Sequence, residues 1–301
     1  MIKLTTTILL CFLMLAAQPV LAAINVFSCE PEWKSLVEEL GSERVKAYSA
    51  TTAFQDPHHI EARPSLIAKV RRADLVICSG AELETGWLPL LLRQAGNSNV
   101  LPGRKGYFEA SSFVKRLDVP IAVNRSMGDV HVSGNPHVHL DPRRIATIAA
   151  ALKDRLIEID PDGSAIYKKN YTRFSTRWQT AIQRWQQQAK PLNGIGVVVH
   201  HKDWVYMFDW LNITLIDALE PNPGLPTTVG HLVELKNKLR TSPAKMVIHT
   251  QYQNSRAAKR FGKMASLPVI NLPYTVGGDA NAKDLFSLFD ITINKLLSVV
   301  K

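Results

Sequence analysis

Short β-branched runs alternate with helix-period segments along nearly the whole chain. In the first half, Ile24-Cys29, Val45-Ala50 and Ala73-Ser79 read as strands, with helices near Glu32-Leu40, Pro64-Arg71 and Glu84-Ala95. The pattern restarts later with strands at Gly196-His200, Thr214-Leu219, Lys245-Thr250 and Pro268-Leu272. Helices fall near Trp204-Leu211, Val229-Leu239 and Ser255-Met264, and an amphipathic helix over Lys283-Val300 ends the chain. Strands that alternate with helices predict parallel sheets covered by helices on both faces.

The texture between the halves differs. Asp141-Pro142 is a helix start, a capping side chain followed by proline at the first helical position, and Ile145-Ile157 is helical. After Asp160-Pro161-Asp162-Gly163, the segment from Ser164 to Ala189 runs without glycine or proline. At about 1.5 Å per residue it would reach close to 40 Å, enough to cross a domain. The expected fold class is therefore α/β, with two parallel-sheet lobes joined by a long backbone helix: lobe 23–162, helix 163–190 and lobe 191–301.

The 301 residues are 46% hydrophobic and 21% charged, an ordinary globular balance. Met1 to Ala22 carries a lone Lys3, an apolar run from Ile8 to Leu15 and small residues before Ala23, which reads as a cleaved signal peptide over residues 1–22. Gln18 and Pro19 break the run short of a bilayer span. Export places the mature chain in the periplasm, where Cys29 and Cys78, at the ends of two predicted strands, are free to pair. Pairing and non-pairing stay equally open, because their separation is not readable from sequence. The net charge of +10, which falls to +9 when Lys3 is removed, is spread over pairs such as Arg71-Arg72 and Lys168-Lys169. That scatter fits solvated helix faces and argues against a nucleic-acid partner.

Most of the nine histidines fall in three clusters: His58-His59 after Asp56-Pro57, His131 with His137 and His139, and His200-His201 at the end of a strand. Ligands of open α/β sheets bind beyond the carboxyl ends of strands, where His58 and His201 would sit, one from each half. Asp279, after Gly277-Gly278, brings a carboxylate to the same crevice, although Asp284 remains an alternative. Three imidazoles and a carboxylate suit Zn²⁺. His231 and His249, single histidines on periodic segments, read as structural, and His131 as a solvated residue of a plain loop.

The chain resembles the zinc- and manganese-specific substrate-binding proteins of metal ABC importers. The resemblance covers nearly the whole mature chain. It rests on Asp56-Pro57-His58 with Arg63-Pro64-Ser65, on Ala73-Asp74-Leu75-Val76-Ile77 leading to Gly80 and Leu83-Glu84, on Asn135-Pro136-His137-Val138-His139-Leu140-Asp141-Pro142, and on His201 followed by Trp204 and Tyr206. It implies a fold of the class called cluster A-I and a monomer that captures Zn²⁺ as transported ligand. Delivery would be to an ABC permease in the inner membrane. His58, His137, His201 and Asp279 would be the ligands. Leu219-Glu220-Pro221-Asn222-Pro223-Gly224 and the run ending in Gly277-Gly278 resemble the zinc-leaning branch. Two positions depart from the family: His139 stands where tryptophan is common, and Val276 stands near the place of the commoner aspartate. The short stretch Asn124-Gly134 replaces a long histidine-rich loop; it could take metal from solution or from a periplasmic donor protein.

A four-ligand shell leaves no position for a reactive water, so carriage rather than catalysis is expected, with no catalytic residues. A manganese carrier and, further off, a secreted zinc hydrolase are the alternatives. No His-Glu-x-x-His or nucleophile elbow supports the hydrolase. Metal affinity is expected to fall as pH drops through about 6.5, the unperturbed histidine value.

Overall fold

The computed structural model describes residues 23–121 and 130–300. The expected signal peptide, and residues 124–129 of the loop before His131, lie outside the described residues. No helix among the described residues is long and apolar enough to cross a membrane.

Each half is built on a four-stranded parallel sheet. The first contains β1 (Ile24–Ser28), β2 (Val45–Ser49), β3 (Leu75–Cys78) and β4 (Tyr107–Glu109) in the order β2-β1-β3-β4. The second contains β5 (Gly196–Val199), β6 (Thr214–Ala218), β7 (Met246–His249) and β8 (Val269–Asn271) in the order β6-β5-β7-β8. The two orders are the same when read along the chain. Inner strands β3, β5 and β7 are buried at every position, as their continuous apolar runs require when helices cover both faces. The edge strand β4, only three residues long, has too little periodicity to stand out in the sequence.

Helices α1 (Pro31–Gly41), α2 (Pro64–Arg71) and α3 (Leu88–Ala95) flank the first sheet. The predicted third helix begins later than expected. Residues 80–82 take left-handed backbone at Gly80, Ala81 and Glu82, and turns carry the chain on to Leu88. Helix α4 (Pro142–Ile159) starts as predicted: Asp141 accepts from the Arg143 amide at 2.8 Å and proline follows it. Helices α6 (Val205–Leu211), α7 (Val229–Lys238), α8 (Ser255–Ala265) and α9 (Leu285–Val300) serve the second half.

Helix α5 (Ser164–Gln188) is the long element between them, 25 residues and therefore about 38 Å. Its buried positions, Tyr167, Asn170, Phe174, Trp178, Ile182 and Trp185, recur at helical spacing on one face. Trp178 and Trp185 pack on Phe289 of α9 with ring centroids 5.7 and 5.0 Å away. One apolar core joins this face to both sheets, from Val26 and Leu75 to Val197 and Met246. Truncating either tryptophan to alanine would cost about 3–5 kcal/mol. The helix is thus the floor of a shared core and not a free strut, which leaves little room for a wide hinge. Its start is held by Arg44, whose guanidinium makes two 2.7 Å hydrogen bonds to Asp160.

Cys29 and Cys78 are paired in a disulfide with their Cα atoms 4.8 Å apart, because adjacent parallel strands β1 and β3 end side by side. The bond closes a loop of sequence separation 49. Chain entropy alone then makes it worth about 4 kcal/mol. Replacing both cysteines with alanine should lower unfolding free energy by roughly that amount in urea titration; a loss below about 1 kcal/mol would show that the bond contributes no such constraint.

Candidate metal centre

Asp56-Pro57-His58 lies on the loop that follows β2. The Asp56 carboxylate accepts from the His58 amide at 3.0 Å and from its Nδ1 at 2.7 Å. An acceptor on Nδ1 favours the proton there and turns Nε2 to the opposite side of the ring as the lone-pair nitrogen. Trp87 Nε1 donates to the Pro57 carbonyl at 2.9 Å and anchors the loop from the opposite side.

Asn135-Pro136-His137, just before α4, is bonded across to the second half. The Asn135 side chain accepts from the His137 amide at 3.0 Å and donates to the Lys202 carbonyl of the second half at 2.8 Å. Tyr206 donates to the Asn135 carbonyl at 2.5 Å. His137 is fully buried, and its Nδ1 lies 2.8 Å from the Tyr274 hydroxyl. Among the described residues its Nε2 has no hydrogen-bond partner. A buried nitrogen of this kind calls for a partner, and a cation is one that a lone pair accepts.

His201 follows β5. Its Nδ1 meets Glu220, from the loop after β6, at 2.7 Å, and Glu220 is steadied in turn by the Gly224 amide at 3.0 Å. One ring nitrogen from each of His58, His137 and His201 converges with the others within 4.8 Å. The rings stand nearly edge to face, with centroids 5.6 to 5.8 Å apart. The adjoining cleft has a volume of about 220 Å³ and carries Asp56, Glu220 and Tyr252 on its wall. That is below the roughly 300–1,000 Å³ of organic-ligand pockets.

The protonation states differ among these rings. Burial holds His137 well below the ordinary imidazole value, and His58 and His201 add like-charge repulsion. Burial also pulls on His201, but Asp203 and the hydrogen bond to Glu220 outweigh it and raise its value to about 9. Glu220 is held below the usual carboxylate range, since its bond to His201 outweighs its own burial.

The structure places Asp279 elsewhere. Its carboxylate takes Lys295 Nζ at 2.8 Å and the Asn281 amide at 3.1 Å, and it is not among the groups that converge with the histidines. After β8 the chain passes the site at Tyr274. The following turn, with Gly277 in left-handed backbone, carries Asp279 over to α9. Asp284 is engaged with Ser287 at the start of α9. The buried carboxylate beside the histidines is Asp203, with Oδ1 3.6 Å from His137 Nε2; it accepts from Tyr252 and Gln253 at 2.9 and 2.8 Å. Neither Asp203 nor Tyr274 is identified by the sequence reading. A lone aspartate after a strand and a tyrosine in a loop carry no spacing signal.

The remaining histidines separate cleanly. His139 is buried against Glu32 of α1 at 3.2 Å and the Tyr274 carbonyl at 3.0 Å, so it braces the two halves behind the centre. His231 and His249 bond the backbone carbonyls of Ala218 and Thr250. His131, expected in solvent, instead lies against His58, with the two Nε2 atoms 3.2 Å apart.

Comparison with known proteins agrees with this geometry. Residues 26–298 match the family described as ZnuA, zinc-uptake complex component A periplasmic. The chain is 23% identical over 239 residues to the metal ABC transporter substrate-binding lipoprotein SloC of Streptococcus mutans, covering 78% of this chain and 75% of that protein. It is 27% identical over 254 residues to the manganese ABC transporter substrate-binding lipoprotein scaA of Streptococcus gordonii, covering 82% and 78%. In fold it is similar to a crystal structure of ZnuA, with a TM-score of 0.77 at 19% identity over 93% of this chain and 100% of that one. A Mn-bound periplasmic metal-binding protein from Candidatus Liberibacter asiaticus gives a TM-score of 0.75 at 16% identity, covering 92% and 100%. Convergent histidines between two parallel-sheet halves and a family match along nearly the whole described chain lead to one assignment: the chain belongs to the ZnuA family of substrate-binding proteins of metal ABC transporters.

Proposed function

We propose that the protein captures Zn²⁺ in the periplasm on His58, His137 and His201 and hands it to an ABC permease in the inner membrane. The convergence of these three imidazoles carries the reading. Each ring is held through Nδ1 by Asp56, Tyr274 or Glu220, an arrangement that sets the tautomer and raises ligand basicity. The ion is cargo, and the rings come from both halves, so loosening the contact between halves at the permease would release it.

Zinc is favoured by the donor chemistry. Imidazole nitrogen suits Zn²⁺, whereas Mn²⁺ prefers carboxylate, carbonyl and water oxygen. A manganese carrier would draw on Asp203, 3.6 Å from His137 Nε2, and relatives named for manganese exist among the matches. One carboxylate against three imidazoles weighs toward zinc. Lys295 on Asp279 removes the second carboxylate that such a site would use.

Competition titration of the metal-stripped protein should give one Zn²⁺ per chain, bound tighter than Mn²⁺. His58→Ala or His201→Ala should weaken binding more than about 100-fold, beyond the 10–100-fold loss typical of an outer-shell change. Asp279→Ala should leave affinity within about 3-fold of the parent, since a surface pair with lysine contributes little. Tight binding unaffected by either histidine substitution would refute the assignment. Tyr274→Phe removes the hydroxyl on His137 Nδ1; it should cost about 10–100-fold in zinc affinity at unchanged melting temperature.

The pH dependence follows from His201. Metal needs its Nε2 free, and its proton is held up to about 9. Below that value zinc must displace the proton, so apparent affinity should rise with pH between 7 and 9, by about tenfold per unit where a single proton is released. This onset is higher than the 6.5 expected of an unperturbed histidine. A flat profile over that range, in the same competition titration at constant ionic strength, would contradict it.

A further inference from the structure

We infer that Glu32 of α1 is a positioning residue for metal capture: from the first half it holds the Tyr274-Thr275 segment of the second half, and so sets the hydroxyl that orients His137. The inference rests on the capture site described above and extends it to a residue outside the ligand set.

The relay is built from buried contacts. The Tyr274 hydroxyl lies 2.8 Å from His137 Nδ1, and the two rings stand edge to face with centroids 5.5 Å apart. The next residue, Thr275, donates its hydroxyl to Glu32 Oε2 at 2.5 Å. The other carboxylate oxygen, Oε1, lies 3.2 Å from His139 Nδ1, and His139 Nε2 donates to the Tyr274 carbonyl at 3.0 Å. Glu32 therefore reaches Tyr274 by two routes, one through each oxygen, and both cross between the halves. All four residues are buried.

The second half holds this segment less firmly. β8 ends at Asn271, Leu272 still bonds the His249 carbonyl at 3.0 Å, and the Tyr274 amide reaches Gln251 only at 3.4 Å. The Tyr252 ring packs edge to face on Tyr274 with centroids 5.4 Å apart, which restrains the ring without bonding its hydroxyl.

Glu32 is suited to be the fixed end of the relay. It stands in the first turn of α1, directly after Pro31, where the helix dipole favours a carboxylate. Trp33 beside it is fully buried and donates from Nε1 to Ser79 Oγ at 2.9 Å, which ties the helix start to the residue following β3. Burying a carboxylate costs more than burying an apolar side chain of the same size. What the carboxylate adds is direction, toward Thr275 on one side and His139 on the other.

The test is Zn²⁺ competition titration of the full mature protein, comparing the parent with Thr275→Val, Thr275→Ser and Glu32→Met, each also made in the Tyr274→Phe background. Thr275→Val keeps the shape and removes the hydroxyl, Thr275→Ser keeps the hydroxyl, and Glu32→Met removes both contacts. Circular dichroism melts of the metal-free proteins establish which variants are folded; if Glu32→Met is not, Thr275→Val carries the test. Thr275→Val and Glu32→Met should weaken Zn²⁺ binding about tenfold, the low end for residues that support a metal ligand, and Thr275→Ser by less than about 3-fold. In the Tyr274→Phe background the further loss from either should fall below about 2-fold, because the hydroxyl they aim is already gone. A loss that persists at full size in that background would show a general brace and overturn the inference. Parent affinity in Thr275→Val or in Tyr274→Phe would overturn it as well. All three outcomes leave the three-histidine site standing, whereas failure of the parent protein to bind Zn²⁺ at all would remove both.

Discussion

The structure depends on holding three imidazoles at one point, each gripped through Nδ1 from behind. Each ring prefers water to a buried cluster of like groups, and burial alone would leave their polar atoms unsatisfied. The protein resolves this from behind. Asp56 fixes His58 and Glu220 fixes His201 through charge-assisted bonds at 2.7 Å, while Tyr274 holds His137 with a neutral hydroxyl. Those partners come from loops after three different strands, so the constraint reaches into both sheets. It explains why Asp precedes Pro-His, why Asn precedes Pro-His, and why a glutamate follows β6.

The two sheets deliver these loops to the same place because their strand orders match and their carboxyl ends face a common crevice. Helix α5 and the tryptophans on its buried face lock that relation through a core shared by both halves. His139, between Glu32 and the Tyr274 carbonyl, adds a polar brace behind the metal centre. A polar brace keeps register between the halves through direction as well as contact. A broad rotation of one half against the other would break the apolar core under these loops.

Much of this was legible in the sequence, for reasons that can be named. Continuous apolar runs such as Val197-Val198-Val199 announce inner parallel strands, and Asp141-Pro142 announces a helix start that the structure shows with its cap in place. His58, His137 and His201 stand out because each sits at a strand end or in a proline-fixed turn. Asp279 illustrates the limit. Its position after two glycines suits a crevice residue, yet the chain has already passed the centre at Tyr274, and Lys295 on α9 claims the carboxylate. Loop paths of this kind depend on packing partners far along the chain. His131 was obscured for the same reason, since only the clamp between Ser133 and Glu82, 51 residues apart, brings it inward.

The most direct test is a crystal structure of the zinc-loaded protein with data collected on both sides of the zinc absorption edge. The account predicts a single anomalous peak at the junction of the two halves, bonded to Nε2 of His58, His137 and His201 at about 2.0–2.1 Å. A peak bonded to Asp279, or one lying away from these three rings, would contradict it.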